Sequence, residues 1–431
     1  MDRRYLQAWM SQTHSGVVHP TEAGECAANP KARLGYSRDS NRHMCASSQL
    51  PSAALYIHIP YCAAKCGYCD FYSVPIRNEP TNDMLAALQK ELRHRVGSCG
   101  HRIRTVFIGG GTPTILATNE LQQLLTTLAE VLRDHEPLEF TLEANPETIT
   151  AEKAHCLAQA GVNRVSMGAQ SFDAAELEVL KRRHGTADVP QAVAALRRAG
   201  VSNINLDLIF GIPGQTLESW RDSLDHAIDL KVDHLSCYGL TYEPGTELTA
   251  QRDRGLITPC DECVEAEMFS LAINHLAAAG FEQYEISNYA KPGRRCRHNL
   301  MYWRNEPYVG IGPSAAGCTG GRRYKNVDDV GEYIRLMRSR GHAESESETI
   351  DREKLVNEMI LMQLRLSDGL NISDFCSRTG LEPLQVFEPA LTRLVDSGLL
   401  FLTEEHIALT RSGMLMANRV MTELACAYES L

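Results

Sequence analysis

Between Ala54 and Tyr238, short β-rich runs alternate with amphipathic helical stretches, and this alternation constrains the fold more than any other feature. The runs are Leu55–Ile59, Thr105–Ile108, Glu139–Glu143, Arg164–Met167, Asn203–Ile209 and His234–Tyr238. Asn82–Val96, Asn119–Arg133, Ala151–Ala160, Val189–Ala199 and Leu217–Leu230 lie between them with apolar residues at helical spacing. Repeated strand–helix units imply parallel strands with right-handed crossovers. About six units predict an incomplete parallel (β/α)6 barrel, open along one side, in preference to a closed eight-unit barrel. Such α/β folds place their sites at the carboxyl ends of the strands.

The 431 residues suffice for a barrel-sized domain and a smaller one. Residues 1–52 lack hydrophobic periodicity and are rich in Ser, Pro, Gly, His and Arg, which predicts a disordered extension. Asp2, Glu22, Glu25 and Asp39 dilute any transit-peptide signal, and Met44 offers a later start. Residues 53–345 form the expected barrel region. Residues 346–431 change character, with helices at Leu355–Leu366, Ile372–Arg378 and Pro383–Asp396, a hairpin at Gly398–Leu409 and a last helix at Arg411–Leu424. That order resembles a winged-helix module without a basic recognition stripe, so it is expected to pack or to cover substrate. The net charge of -11 argues against a nucleic-acid partner.

Fourteen cysteines are scattered without a disulfide framework, no secretory signal precedes them, and no apolar run approaches a membrane span. A reducing cytoplasm fits best. Cys260-x-x-Cys263 is expected in the first turn of a helix running to Ala279, as neighbours rather than a redox pair.

Cys62, Cys66 and Cys69 stand close together after the first run, in YCAAKCGYCDFY. Three thiolates on one loop can hold three corners of a [4Fe–4S] cluster, which usually takes four cysteines, so one iron is left open. A closed zinc site wants four ligands, and no second Cys pair lies nearby. Three unrelated buried cysteines are the bland alternative.

Other candidates fall at strand ends. Gly109-Gly110-Gly111-Thr112-Pro113 follows the second run, and its glycines permit close backbone approach to a ligand. Glu143 ends the third run within EANP, Gln170 lies past the fourth, Arg182 follows, and Asp207 sits in the fifth before GIPGQT. Each alone is weak evidence. Together they supply carboxylates for hydroxyls or an ammonium, an amide, and a guanidinium for a carboxylate. That set suits a zwitterionic nucleoside, and no Gly-Lys-Ser/Thr phosphate loop is present.

The Cys triplet, GGGTP, EANP, GAQSF and DLIFGIPGQT together resemble the radical S-adenosylmethionine superfamily, and within it the oxygen-independent coproporphyrinogen III oxidase-like group. The likeness runs from about Tyr56 to the C-terminus. It implies that Cys62, Cys66 and Cys69 bind the cluster and that the open iron chelates S-adenosylmethionine. Tyr56, Gly110, Gly111, Thr112, Glu143, Gln170, Arg182 and Asp207 would hold the rest of that molecule, with Tyr68 near its adenine. The chemistry implied is electron transfer from reduced cluster to sulfonium, in a site that excludes water and oxygen.

Two branches of the group differ in the cysteine loop. The decarboxylating oxidases resemble C-x3-C-x2-C-x-C, whereas Phe71 stands here in place of the fourth cysteine. Asp70-Phe71 and His298-Asn299-Leu300-Met301-Tyr302-Trp303 resemble instead the branch described as haem chaperones. The resemblance implies haem at His298, with Cys296 as the rival ligand, Tyr302 and Trp303 against the macrocycle, and Arg294, Arg295 and Arg297 toward its propionates. Taken without the family, His298 reads as a loop histidine bonded to backbone, with Trp303 in the core. The expectation is a haem carrier serving respiratory or other haem enzymes, which would bring it to the surface of the inner membrane. The cluster would then serve structure, formation of a homodimer, or a redox gate. The alternative is a radical enzyme that decarboxylates coproporphyrinogen III to protoporphyrinogen IX.

Overall fold

The computed structural model describes residues 50–77 and 79–429; the expected extension lies almost wholly outside the described residues. A twelve-stranded mixed sheet dominates it. All six expected strands are present: β1 (Ser52–Ile59), β2 (Arg102–Gly110), β3 (Glu139–Ala144), β4 (Arg164–Gln170), β5 (Asn203–Phe210) and β6 (His234–Gly239). They pair in chain order and in parallel. The crossovers carry α1 (Thr81–Ser98), α2 (Thr118–Val131), α3 (Ala151–Gln159), α4 (Ala174–Val179), α5 (Asp188–Ala199) and α6 (Leu217–Asp229).

Local chemistry sets these helices. In α6, Thr216 caps the first turn by accepting the Ser219 N–H at 3.1 Å. Its buried residues Trp220, Ser223, Leu224 and Ala227 follow the three-and-four spacing of one helix face. α5 stops at Gly200, whose φ of 99° is the left-handed conformation that ends a helix cleanly.

The sheet extends beyond the expected six strands at both edges. Past β6 come α7 (Glu247–Asp253), α8 (Glu262–Ala278), and the antiparallel strands β7 (Glu282–Glu285) and β8 (Asn288–Ala290). Asp261 caps α8, so Cys263 lies in its first turn while Cys260 precedes the cap; the expected placement of both in that turn is corrected. After α9 (Arg297–Trp303), β9 (Tyr308–Ile311) joins the far side of β1 as a seventh parallel strand. β10 (Ala316–Thr319), β11 (Arg322–Asn326) and, after α10 (Val330–Ser339), β12 (Glu344–Thr349) continue antiparallel from it. The order is β12-β11-β10-β9-β1-β2-β3-β4-β5-β6-β8-β7, so the edges β12 and β7 do not meet and the barrel is open.

The remaining chain forms α11 (Arg352–Gln363), β13 (Leu370–Asn371), α12 (Ile372–Thr379), α13 (Pro383–Val386), α14 (Glu388–Asp396), β14 (Leu400–Leu402), β15 (His406–Leu409), α15 (Arg411–Leu415) and α16 (Ala417–Glu429). Its three strands pair in the order β13-β15-β14. Phe375, Phe387, Leu391 and Val420 of this region share one apolar cluster with the sheet and its helices. No described helix is long and apolar enough to cross a membrane.

Candidate functional site

Residues 62–74 form a loop held at its base and its tip. Tyr61–Cys62 and Val74–Pro75 pair in parallel at the base. There the Thr112 N–H donates to the Tyr61 carbonyl at 2.7 Å, docking the loop on the glycine turn after β2. At the tip, the Gly67 N–H donates to the Leu180 carbonyl at 3.2 Å, and the Leu248 N–H donates to the Gly67 carbonyl at 2.8 Å. Cys62, Cys66 and Cys69 are thus half-buried on a loop fixed by three different parts of the barrel rim.

A polar chain connects two of the thiols across the strand ends. Thr112 Oγ1 lies 3.7 Å from Cys62 Sγ and accepts from Asn145 Nδ2 at 2.9 Å. Asn145 Oδ1 accepts from Arg182 Nη2 at 2.7 Å, and the same nitrogen donates to the Gly168 carbonyl at 2.8 Å. Arg182 Nη1 lies 3.4 Å from Cys66 Sγ. The guanidinium is held in its cationic form against burial by Tyr68, Cys66 and Glu147, and it offers counter-charge to thiolates.

A second group lies beside this chain. Glu143 Oε2 accepts the Gly110 N–H at 3.0 Å. Burial first, then the Asp207 charge, pushes the Glu143 carboxyl up to about 7. Burial also raises Asp207, which accepts from Asn205 Nδ2 at 2.8 Å and Ser166 Oγ at 3.4 Å. Tyr56 donates to, or accepts from, His58 Nδ1 at 3.0 Å and feels the Glu143 charge. Gln170 ends β4 with φ 65° at a bulge, which turns its side chain over Gly168. Tyr68 packs on the apolar group of Leu180, Ile209, Ile212, Leu240 and Leu248.

These residues fit a cluster and a zwitterionic nucleoside. Burial raises Cys62, and burial with the neighbouring Cys66 pushes Cys69 up to about 12, so these thiols stay protonated until a metal displaces the proton. Among the described residues no group of three or more Cys, His, Asp or Glu converges as one metal ion requires. Three irons, one per thiolate, need no such convergence. A Cβ at Gly110 would lie 2.5 Å from the His58 ring, and one at Gly111 2.5 Å from the Tyr61 carbonyl oxygen, so only glycine lets this backbone lie flush beside the loop. The raised carboxyls of Glu143 and Asp207 are suited to an ammonium or to hydroxyl donors.

Sequence reasoning missed Asn145 and His58, although strand alternation points to both. Asn145 is two residues past Glu143 and His58 two past Tyr56, hence on the same faces.

His298 lies elsewhere. It is 1 % exposed, on α9, which packs against Thr105 of β2 and Glu139 at the start of β3. Its Nδ1 meets Thr105 Oγ1 at 2.9 Å, and its buried Nε2 has no hydrogen-bond partner. The Phe107 and Tyr302 rings flank it at 5.0 and 4.9 Å between centroids. Burial and the Arg164 charge lower its imidazole to about 3, so it is neutral. The loop position and bond to backbone expected on the bland reading are corrected: His298 is on a helix and bonded to a threonine side chain. Trp303 is buried, in keeping with that reading. Cys296 is fully buried, with its Sγ 3.4 Å from Glu139 Oε1. Arg294 pairs with Asp233 at 3.5 Å and Arg295 with Glu282 at 3.3 Å, while Arg297 is exposed.

Comparison with known proteins identifies the family. Residues 56–227 match the Radical SAM superfamily and residues 350–416 the HemN C-terminal domain. The chain is 38% identical over 367 residues to the heme chaperone HemW of Bacillus subtilis (strain 168), covering 85% of this chain and 97% of that protein. It is 36% identical over 383 residues to heme chaperone HemW of Escherichia coli (strain K12), covering 86% and 98%. Among solved structures it superimposes on coproporphyrinogen III oxidase (HemN) from Escherichia coli, a radical SAM enzyme, with a TM-score of 0.74 over 89% of this chain and 91% of that one. At 23% identity that likeness speaks to the fold. The open barrel and the three-thiol loop at its rim are those of the radical SAM superfamily, whose members hold a [4Fe–4S] cluster and S-adenosylmethionine. Within the superfamily, this chain belongs to the HemW family.

Proposed function

We propose that this chain binds haem and passes it to haem-requiring enzymes, respiratory complexes among them, on a scaffold that holds a [4Fe–4S] cluster through Cys62, Cys66 and Cys69. The observation that carries the reading is the match along nearly the whole length of proteins named haem chaperones, 97% of the Bacillus subtilis relative. Phe71, exposed where the oxidases resemble a fourth cysteine, points the same way.

The chemistry a bound cluster brings is one-electron reduction of a sulfonium nucleoside. The chain's own residues define where that nucleoside sits. Arg182 orders the Thr112–Asn145 relay and supplies positive charge beside the thiolates. Glu143 and Asp207 take its hydroxyls or amino group, Gly110 and Gly111 allow the backbone to approach it, Gln170 supplies an amide, and Tyr56 and Tyr68 border it. On the haem side, His298 is the assigned iron ligand. Tyr302 and Trp303 offer flat surface, and the arginines at positions 294, 295 and 297 meet the propionates.

The test is a haem titration of anaerobically reconstituted protein, beside an assay with coproporphyrinogen III, S-adenosylmethionine and a reductant. The expected result is a Soret shift with no protoporphyrinogen formed. His298→Ala should weaken haem binding at least tenfold, the loss of about 1.4 kcal/mol, with the cluster absorbance intact. Robust decarboxylation would sink the carrier reading, and unchanged haem affinity in His298→Ala would reassign the ligand.

A further inference from the structure

The helix that carries His298 is held at both ends by charged side chains from opposite parts of the molecule. At its start, Glu139 on β3 accepts the backbone N–H groups of Arg297 at 2.8 Å and His298 at 3.0 Å. At its end, Arg378 on α12 donates Nη1 to the Arg304 carbonyl and Nη2 to the Asn305 carbonyl, both at 2.9 Å. These carbonyls lie just past α9, where a helix has no partners of its own, and a cation there also complements the helix dipole. Arg378 is steadied by Asp374 Oδ2 at 3.4 Å, which also accepts from Gln363 Nε2 at 3.3 Å. The same C-terminal region grips α9 a second time. Trp303 packs with Met362 and Leu366, and the Arg365 guanidinium lies 4.9 Å over its ring.

The seated helix does not present His298 to a macrocycle. Nδ1 is engaged by Thr105, and Nε2 is sealed away from solvent without a partner. A buried nitrogen left unpaired is costly, so withdrawing it is cheaper than withdrawing a satisfied one. Haem therefore reaches this nitrogen only when α9 leaves its seat, and residues 362–378 resist this together with Glu139 and Thr105.

Resting on the haem-binding reading above, we propose that Arg378 is a positioning residue that latches the His298 helix, so that the C-terminal region sets how readily haem enters. A client that restores the latched arrangement would favour release without touching the haem.

Stopped-flow haem uptake and transfer to apomyoglobin, with the full-length reconstituted protein, test the latch. Arg378→Ala should raise the association rate constant and tighten haem affinity together, by about tenfold for the loss of roughly one net charge-assisted bond, while the dissociation rate constant moves much less. Arg378→Lys, which keeps the charge and can hold one carbonyl, should fall between; it serves alone if the alanine variant does not fold. Arg393→Ala breaks the 2.9 Å pair with Glu423 in the same region and should leave both rates unchanged. A purely structural role for Arg378 would lower affinity and melting temperature without accelerating uptake, and would overturn the latch. So would rates equal to wild type in a protein that binds haem through His298. A wild type that takes up no haem would sink the underlying reading instead.

Discussion

Glu143 shows how a single residue trades stability for binding. It can ionise only against burial and the nearby Asp207 charge, which is why its carboxyl is pushed up to about 7. A raised acid binds a proton more tightly folded than unfolded. Its contribution is therefore nil below the ordinary carboxylate range, becomes a penalty that grows as pH rises from that range to about 7, and is constant above it. At about 1.4 kcal/mol per pH unit, the ligand-free protein loses about 3–4 kcal/mol by pH 8. Glu143→Gln should raise the melting temperature of the cofactor-free protein at pH 8, not at pH 4.5, and weaken S-adenosylmethionine binding to the reconstituted one. An equal melting shift at both pH values would refute the ionisation argument. Glu143 itself was legible in the sequence, because EANP ends a strand. That its neighbours in space would be the Gly110 N–H and the Asp207 carboxyl was not, because β2, β3 and β5 come together only in the fold. The motif quoted for haem was equally legible as a string. Whether its histidine faces solvent or the barrel depends on Thr105 and Phe107, nearly two hundred positions earlier.

At the scale of elements, alternation of β-rich and helical segments was sufficient for β1 to β6, since strands buried on both faces leave apolar runs. It failed for β7 to β12. These are short, and β12 reads ESESET, an acidic edge strand with no apolar signal. What fixes them is pairing and close approach. The Tyr324 hydroxyl donates to the Gly310 carbonyl and accepts the Gly310 N–H, both at 3.0 Å. A Cβ at Gly310 would stand 2.0 Å from the Ala316 carbonyl oxygen. Gly310→Ala should therefore force β9 from β10 and cost about 3 kcal/mol. The check is a lower urea midpoint at constant slope; a midpoint within error of wild type would show that the hairpin gives way without strain. The helix expected over Pro383–Asp396 is divided at Phe387, whose fully buried ring packs edge-on to Phe375 at 5.7 Å between centroids. Tertiary packing outweighs helical continuity there.

Across the whole molecule, Glu91 joins the added strands to the barrel. From α1 it accepts hydrogen bonds from Arg95 Nε at 2.7 Å, Asn326 Nδ2 at 2.9 Å, the Gly312 N–H at 2.9 Å and the Tyr333 hydroxyl at 2.7 Å. A buried carboxylate with donors on β11, α10 and the turn after β9 is stable only with its partners in place. Glu91→Gln should cost about 3 kcal/mol and be insensitive to added salt, because a 1 % exposed group is poorly screened. A salt-dependent loss, or none in a denaturant titration, would contradict this. By itself the sequence determined the parallel units, the three-thiol loop, the missing fourth cysteine and the inventory of ligand-binding side chains. Each of these is written in local spacing, and local spacing fixes which face a residue occupies. Only the tertiary structure decided that Arg182 and Asn145 bridge Cys62 to Cys66, that the sheet continues past its expected edges, and that His298 is locked inside the barrel by Glu139 and Arg378. Those contacts join residues far apart in the chain, and their energies depend on burial, which no short window of sequence can specify.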